Sequence, residues 1–147
     1  MHATQAIILE KGDFRERDER VCLYTKDFGK ITVTARGIKR IEAKLRGNLD
    51  VFNFVDIIFV DGAYFPILTA IDMRKRFLQI GKNSSAYSSA SAIASIVSGV
   101  FEEGARDERF FGKMLNSMHA LDKCAKKREG ESKIYAWAIL KKFQSEV

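Results

Sequence analysis

Cysteine, histidine and proline are scarce, at two, two and one in 147 residues. Cys22 and Cys124 lie far apart with no CxxC pair, which excludes a disulfide scaffold and a four-cysteine zinc site. Each reads as a small buried hydrophobe. His2 stands at the start of the chain and is expected to be mobile, while His119 falls inside an amphipathic stretch and reads as a packing or surface residue. The four positions match no metal-ligand spacing. Charges interrupt every apolar run within a few residues, so no membrane-spanning helix is expected. The first residues alternate like a strand instead of forming a basic-then-apolar leader, which makes a reducing, cytoplasmic setting the expectation. Gly29, Gly37 and Gly47 are eight and ten apart, unlike a phosphate-cradling loop. Asp13, Glu16, Asp18 and Glu19 are interleaved with Arg15, Arg17 and Arg20, which neutralise any carboxylate pair; a solvated loop is expected there. No catalytic or metal-binding set emerges, so neither an enzyme nor a cofactor is expected.

What is present divides the chain in two. With 46% hydrophobic and 30% charged residues it has the balance of a globular protein. Ala6-Ile7-Ile8-Leu9, Val21-Cys22-Leu23-Tyr24-Thr25 and Ile31-Thr32-Val33-Thr34-Ala35 read as strands, the last two forming a hairpin around Asp27 to Gly29. A single bent strand is expected over 49–60. Asp61-Gly62 turns the chain, and 63–71 reads as the returning strand, with Pro66 marking an edge or a strand end. Irregular segments are expected between the first and second strands and between the third and fourth. Three- and four-residue spacing then predicts helices over 84–101, 107–127 and 131–143, with residues 81–84 as the linker. Strands followed by helices is an α+β order: a five-stranded barrel of the OB type over 1–78 and a small helical domain over 79–147.

The net charge of +6 permits an anionic partner without naming one. Its placement is more informative. Lys30, Arg36, Lys39, Arg40, Lys44 and Arg46 face the single acid Glu42, a net +5 on the connection leaving the hairpin. In a small barrel such a connection rims a nucleic-acid groove, and flexible cations there contact phosphates. A second cluster, Arg74-Lys75-Arg76 with Lys82, either extends that groove or solubilises the junction. Cations Lys123 to Arg128 suit a helix C-terminus without any partner. Phe28, Phe52, Phe54, Tyr64 and Phe65 are base-stacking candidates, although aromatics in strands are more often core.

These residues resemble a known family, the bacterial recombination mediator RecO. Gln5-Ala6-Ile7-Ile8-Leu9 is similar to its first strand, and Glu16 and Asp18 to the acidic element after it. Leu23-Tyr24-Thr25 with Phe28-Gly29-Lys30 resembles its hairpin, and Ala35-Arg36-Gly37-Ile38-Lys39 its A-[KR]-G-x-[KR] signature. Leu45-Arg46-Gly47-Asn48-Leu49 with Phe52 looks like the basic connection that follows, and Phe111, Leu115 and Leu121 fall in its helical region. The resemblance implies an OB domain packed on a helical domain, binding of single- and double-stranded DNA, strand annealing, and partnership with RecR and the acidic tail of single-strand binding protein. By it, Arg36, Lys39 and Arg46 touch DNA. The chain resembles a short form without the zinc-containing part that usually follows, so zinc is not expected. The tail is expected to dock beside Lys113, Lys141 and Lys142. Two other classes remain open, a protein–protein adaptor and an RNA-binding OB module.

Overall fold

A computed structural model describes residues 1–36 and 47–147. The elements run β1 (His2–Phe14), β2 (Asp18–Thr25), β3 (Gly29–Ala35), β4 (Phe54–Val60), β5 (Ile67–Lys75), α1 (Ser84–Val100), α2 (Glu108–Cys124) and α3 (Glu129–Ser145). A short 3-10 turn, Ile80–Lys82, precedes α1. The strands close in the order β1-β2-β3-β5-β4, with β4 returning to β1. All neighbours are antiparallel except β3 and β5, which meet in parallel at Thr34 and Ile67. This is the five-stranded OB-type barrel of an α+β chain, followed by three helices.

The run Ala6 to Leu9 does not alternate because its strand is covered on both sides. Ala6 and Ile8 point into the barrel with Val21, Leu23, Val33 and Ile57. Ile7 and Leu9 point outward and, with Cys22, Tyr24 and Phe54, pack under Ile93, Val97, Phe110, Phe111 and Met114 from the helices. The register of β1 on β2 slips between Ile8 and Glu10, so Leu9 is an extra residue that turns the strand at the helix boundary. One wall of the barrel is thus also the floor of the helical core.

Side-chain caps fix the helix starts. Asn83 accepts from the Ala86 amide at 3.0 Å to begin α1 and donates to Ser132 Oγ at 2.9 Å, joining α1 to α3. Asp107 accepts from the Phe110 amide at 2.9 Å to begin α2. The small residues of α1 let it approach α3 closely, and buried Ser89 donates to the Ala136 carbonyl at 3.0 Å. No described helix is long and apolar enough to cross a membrane.

Four sequence expectations change. β1 extends to Phe14 and forms a hairpin with β2, because Gly12, Asp13 and Phe14 pair with Arg20, Glu19 and Asp18. The irregular segment expected between the first two strands is reduced to residues 15–17. β4 begins only at Phe54: Phe52 takes a φ of 73°, and Asn53 Nδ2 donates to the Gly47 carbonyl at 3.0 Å, so 49–53 turns while burying Leu49 and Phe52. β5 starts after Pro66, which has no amide to give the ladder, and reaches Lys75. Arg74 and Lys75 therefore belong to a strand and not to the junction. His2 is held in β1 against Phe59 and Phe28, with ring centroids 5.0 and 5.3 Å away, and is not a mobile end.

Candidate nucleic-acid interface

One end of the barrel is framed by two connections. The β1–β2 hairpin projects there, closed by a turn in which Arg15 has a φ of 61°. A non-glycine residue in the left-handed region costs about 1 kcal/mol or more, a strain that concentrates at functional sites. Opposite stands the β4–β5 loop, residues 61–66, tied to β3 by the Thr34 amide donating to the Pro66 carbonyl at 2.8 Å. Between them lies a cleft of about 290 Å³ lined by Arg15, Arg20 and Arg36, by Phe14, Tyr64 and Phe65, and by Asp18, Thr34, Ala63 and Ile67.

Arg20 organises the cleft. Its guanidinium carbon sits 3.8 Å from the Phe14 ring centroid and 4.1 Å from that of Phe65, so one cation bridges a ring from each connection. Each such contact is worth roughly 0.5–2 kcal/mol. Its Nε is buried and has no hydrogen-bond partner among the described residues. Arg15 also lies over the Phe14 ring, at 5.0 Å. Arg36 stands exposed at the rim, where β3 ends. Three guanidiniums against the carboxylate of Asp18 leave the lining net positive.

The sequence-predicted residues do not all gather here. Lys39, Arg40, Lys44 and Arg46 lie outside the described residues. Lys30 Nζ donates to the Ser98 carbonyl at 2.6 Å, a cation placed near the C-terminus of α1 that ties barrel to helix. Arg74 pairs with Asp56 at 2.7 Å, and Arg76 donates to the Gly47 carbonyl at 3.3 Å. Arg74 sits near the far end of β5 from Ile67, about 23 Å away at the rise of a strand, and Arg76 follows just beyond that end. Lys113 and Lys142 line a cleft between α2 and α3, where Lys113 is 3.9 Å from Glu146. Lys141 instead lies 5.8 Å from the Trp137 ring.

Arg15, Arg20 and Phe14 escaped the sequence reading. They fell in the charged stretch expected to be a loop, and an exposed hairpin has no burial alternation to betray it. Of the five stacking candidates, Phe52 and Phe54 are core and Phe28 packs edge-on to Phe59; Tyr64 and Phe65 line the cleft. His119 is an exposed residue edge-on to Phe77. The cysteines are buried, and burial first of all pushes both thiols above their usual pKa, with Glu10 adding to the effect on Cys22. Both are thereby held as thiols, which weakens them as nucleophiles. Among the described residues no group of three His, Cys, Asp or Glu side chains is placed to hold a metal.

Residues 1–77 match the family model described as the N-terminal part of recombination protein O. The chain belongs to the recombination protein O family. Its similarity to individual members runs on into the helices. It is 25% identical over 119 residues to a DNA repair protein RecO of Thermoanaerobacter sp. (strain X514), covering 81% of this chain and 48% of that protein. Identity is 27% over 122 residues to the protein of the same name from Roseiflexus sp. (strain RS-1), covering 83% and 43%. With that of Rhodopirellula baltica it is 28% over 119 residues, covering 80% and 44%. The chain spans about half the length of the curated relatives it matches.

Proposed function

We propose that this chain is a DNA-binding module of recombination and repair, working by binding and strand alignment and not by catalytic turnover. The observation that carries the reading is the arginine- and aromatic-lined cleft between the β1–β2 turn and the β4–β5 loop of an OB-type barrel. Those two connections, with the face of β2 and β3, are where this fold takes oligonucleotides. Arg36 leaves that cleft at the start of the most cationic stretch of the sequence. Membership of the recombination protein O family and the names of the similar proteins support the same reading.

On this view residues 1–78 form the nucleic-acid unit. Arg36, Lys39, Arg40, Lys44 and Arg46 neutralise phosphates, lowering the repulsion between two strands enough for complementary sequences to meet. Arg74 and Arg76 extend the interface along the far end of β5. Lys30 is assigned a structural role, since its ammonium already holds Ser98. The helical unit, 79–147, is the proposed docking surface for RecR or the acidic tail of single-strand binding protein. Within it the α2–α3 cleft with Lys113 and Lys142 offers cations beside Ile139.

The test is the salt dependence of single-stranded DNA binding. Each phosphate that a variant no longer neutralises lowers the slope of log affinity against log salt by about 0.7 for single strands. Replacing Arg36, Lys39, Arg40, Lys44 and Arg46 together by Ala should therefore flatten the slope by about 3 to 4. An unchanged slope would remove these residues from the interface.

A further inference from the structure

We infer that the cleft around Arg20 is a subsite for an unpaired nucleobase, so that this end of the barrel selects single strands over duplex. The inference rests on the nucleic-acid reading above but concerns a different interaction. Phosphate contacts need only mobile cations and are blind to pairing. The cleft is built otherwise.

Arg20 is not free to follow a phosphate. Phe14 and Phe65 flank its guanidinium at 3.8 and 4.1 Å, and its Nε is buried. Its effect is to lock together an aromatic ring from each framing connection, making one rigid wall. Next to Phe65, Tyr64 is 94% exposed. A large ring held in water loses the burial free energy that a covered one gains, and stacking on a base recovers it. The loop that carries Tyr64 is anchored at both sides. The Pro66 carbonyl accepts from Thr34, and a Cβ on Gly62 would collide with the Phe65 carbonyl, so the turn there needs glycine.

The charge pattern separates base from backbone. Arg20 is held between two rings inside the cleft, whereas exposed Arg15 and Arg36 stand ready to hold the phosphates flanking an inserted base. At about 290 Å³ the cleft lies at the small end of ligand pockets, suited to one base and not to a duplex. Paired bases have their faces already stacked; only an unpaired strand has one to give.

The experiment compares the full chain and its Tyr64→Ala and Tyr64→Phe variants on three probes: short oligothymidylate, an abasic strand with the same number of phosphates, and a duplex. The unmodified protein should bind oligothymidylate about five- to 150-fold more tightly than the abasic strand. Tyr64→Ala should remove most of that preference, losing more affinity for oligothymidylate than for the abasic strand or the duplex, and Tyr64→Phe should retain it. Because Tyr64 is almost wholly exposed, the Ala variant should keep its fold, which an unchanged melting temperature verifies. Equal affinity of the unmodified protein for thymidylate and abasic strands, or an equal loss on single strand and duplex in Tyr64→Ala, overturns the base subsite and leaves the phosphate interface standing. If the unmodified protein binds none of the three, both readings fall.

Discussion

Tyr24 joins the two halves of the core through one side chain. Its ring is fully enclosed, 5.7 Å from that of Phe101, 6.2 Å from Phe110 and 5.8 Å from Phe111, and its hydroxyl donates to the Asp107 carbonyl at 3.5 Å. Burial first, and the nearby Asp107 carboxylate second, push its pKa from 10.0 up to about 12. Above pH 10 the unfolded chain loses the phenol proton before the folded one does, so folding stability declines as pH rises toward 12. The loss should be on the order of 2 kcal/mol at the upper end. Chemical denaturation at pH 9 to 12 checks this, and Tyr24→Phe, which keeps the ring, should flatten the decline. A Phe variant with the same pH dependence would show that other groups set it. Neither Tyr24's burial nor the hidden role of Arg20 is readable from the sequence alone. Tyr24 looks like one member of an alternating strand, and Arg20 like one charge among seven in 13–20. Both acquire their roles from partners distant in sequence: Asp107 for one, Phe65 for the other.

At the scale of elements, β3 is fastened to the helices at its first residue. Gly29 has a φ of 68°, and a Cβ there would overlap the backbone of Ala105 in the α1–α2 connection. Beside it the Gly104 amide donates to the Lys30 carbonyl at 2.9 Å, and Thr32 Oγ1 donates to Glu103 at 3.0 Å. Gly29→Ala combines left-handed strain with a backbone collision, and a loss of about 2 kcal/mol or more is expected in equilibrium unfolding. A loss under about 0.5 kcal/mol, the range of ordinary surface changes, would contradict the close approach. The hairpin around this glycine was legible, since Asp27 to Gly29 punctuates two β-branched runs. Element ends were less so. Pattern follows burial, and residues 11–20 of the β1–β2 hairpin are only exposed or half-buried, none of them core. Conversely, residues 49–53 bury Leu49 and Phe52 from a turn and so mimic a strand. The helices could be placed more closely because Asp107 announces a start and the three- and four-residue stripe of α2 lies against one continuous core.

For the whole molecule, division of labour follows from which barrel walls are covered. The outward faces of β1 and β2 pack under the helices, which leaves the projecting hairpin, the end of β3 and the β4–β5 loop to solvent. Of the +5 cluster seen in the sequence, Lys30 lies at the opposite end of β3, bonded to Ser98, and Arg36 stands at the rim of that open end. Charge placement singled out Arg36 but not the rest of the cleft, whose rings and cations come from β1, β2 and the 61–66 loop as well. Amide chemical-shift mapping of the isotope-labelled chain with oligothymidylate tests whether this open end receives nucleic acid. The largest shifts should cluster in residues 14–20, 34–46 and 61–67. Shifts confined to α1–α3, or to the outer face of β1, β4 and β5 around Thr4, Asp56 and Asp72, would contradict it.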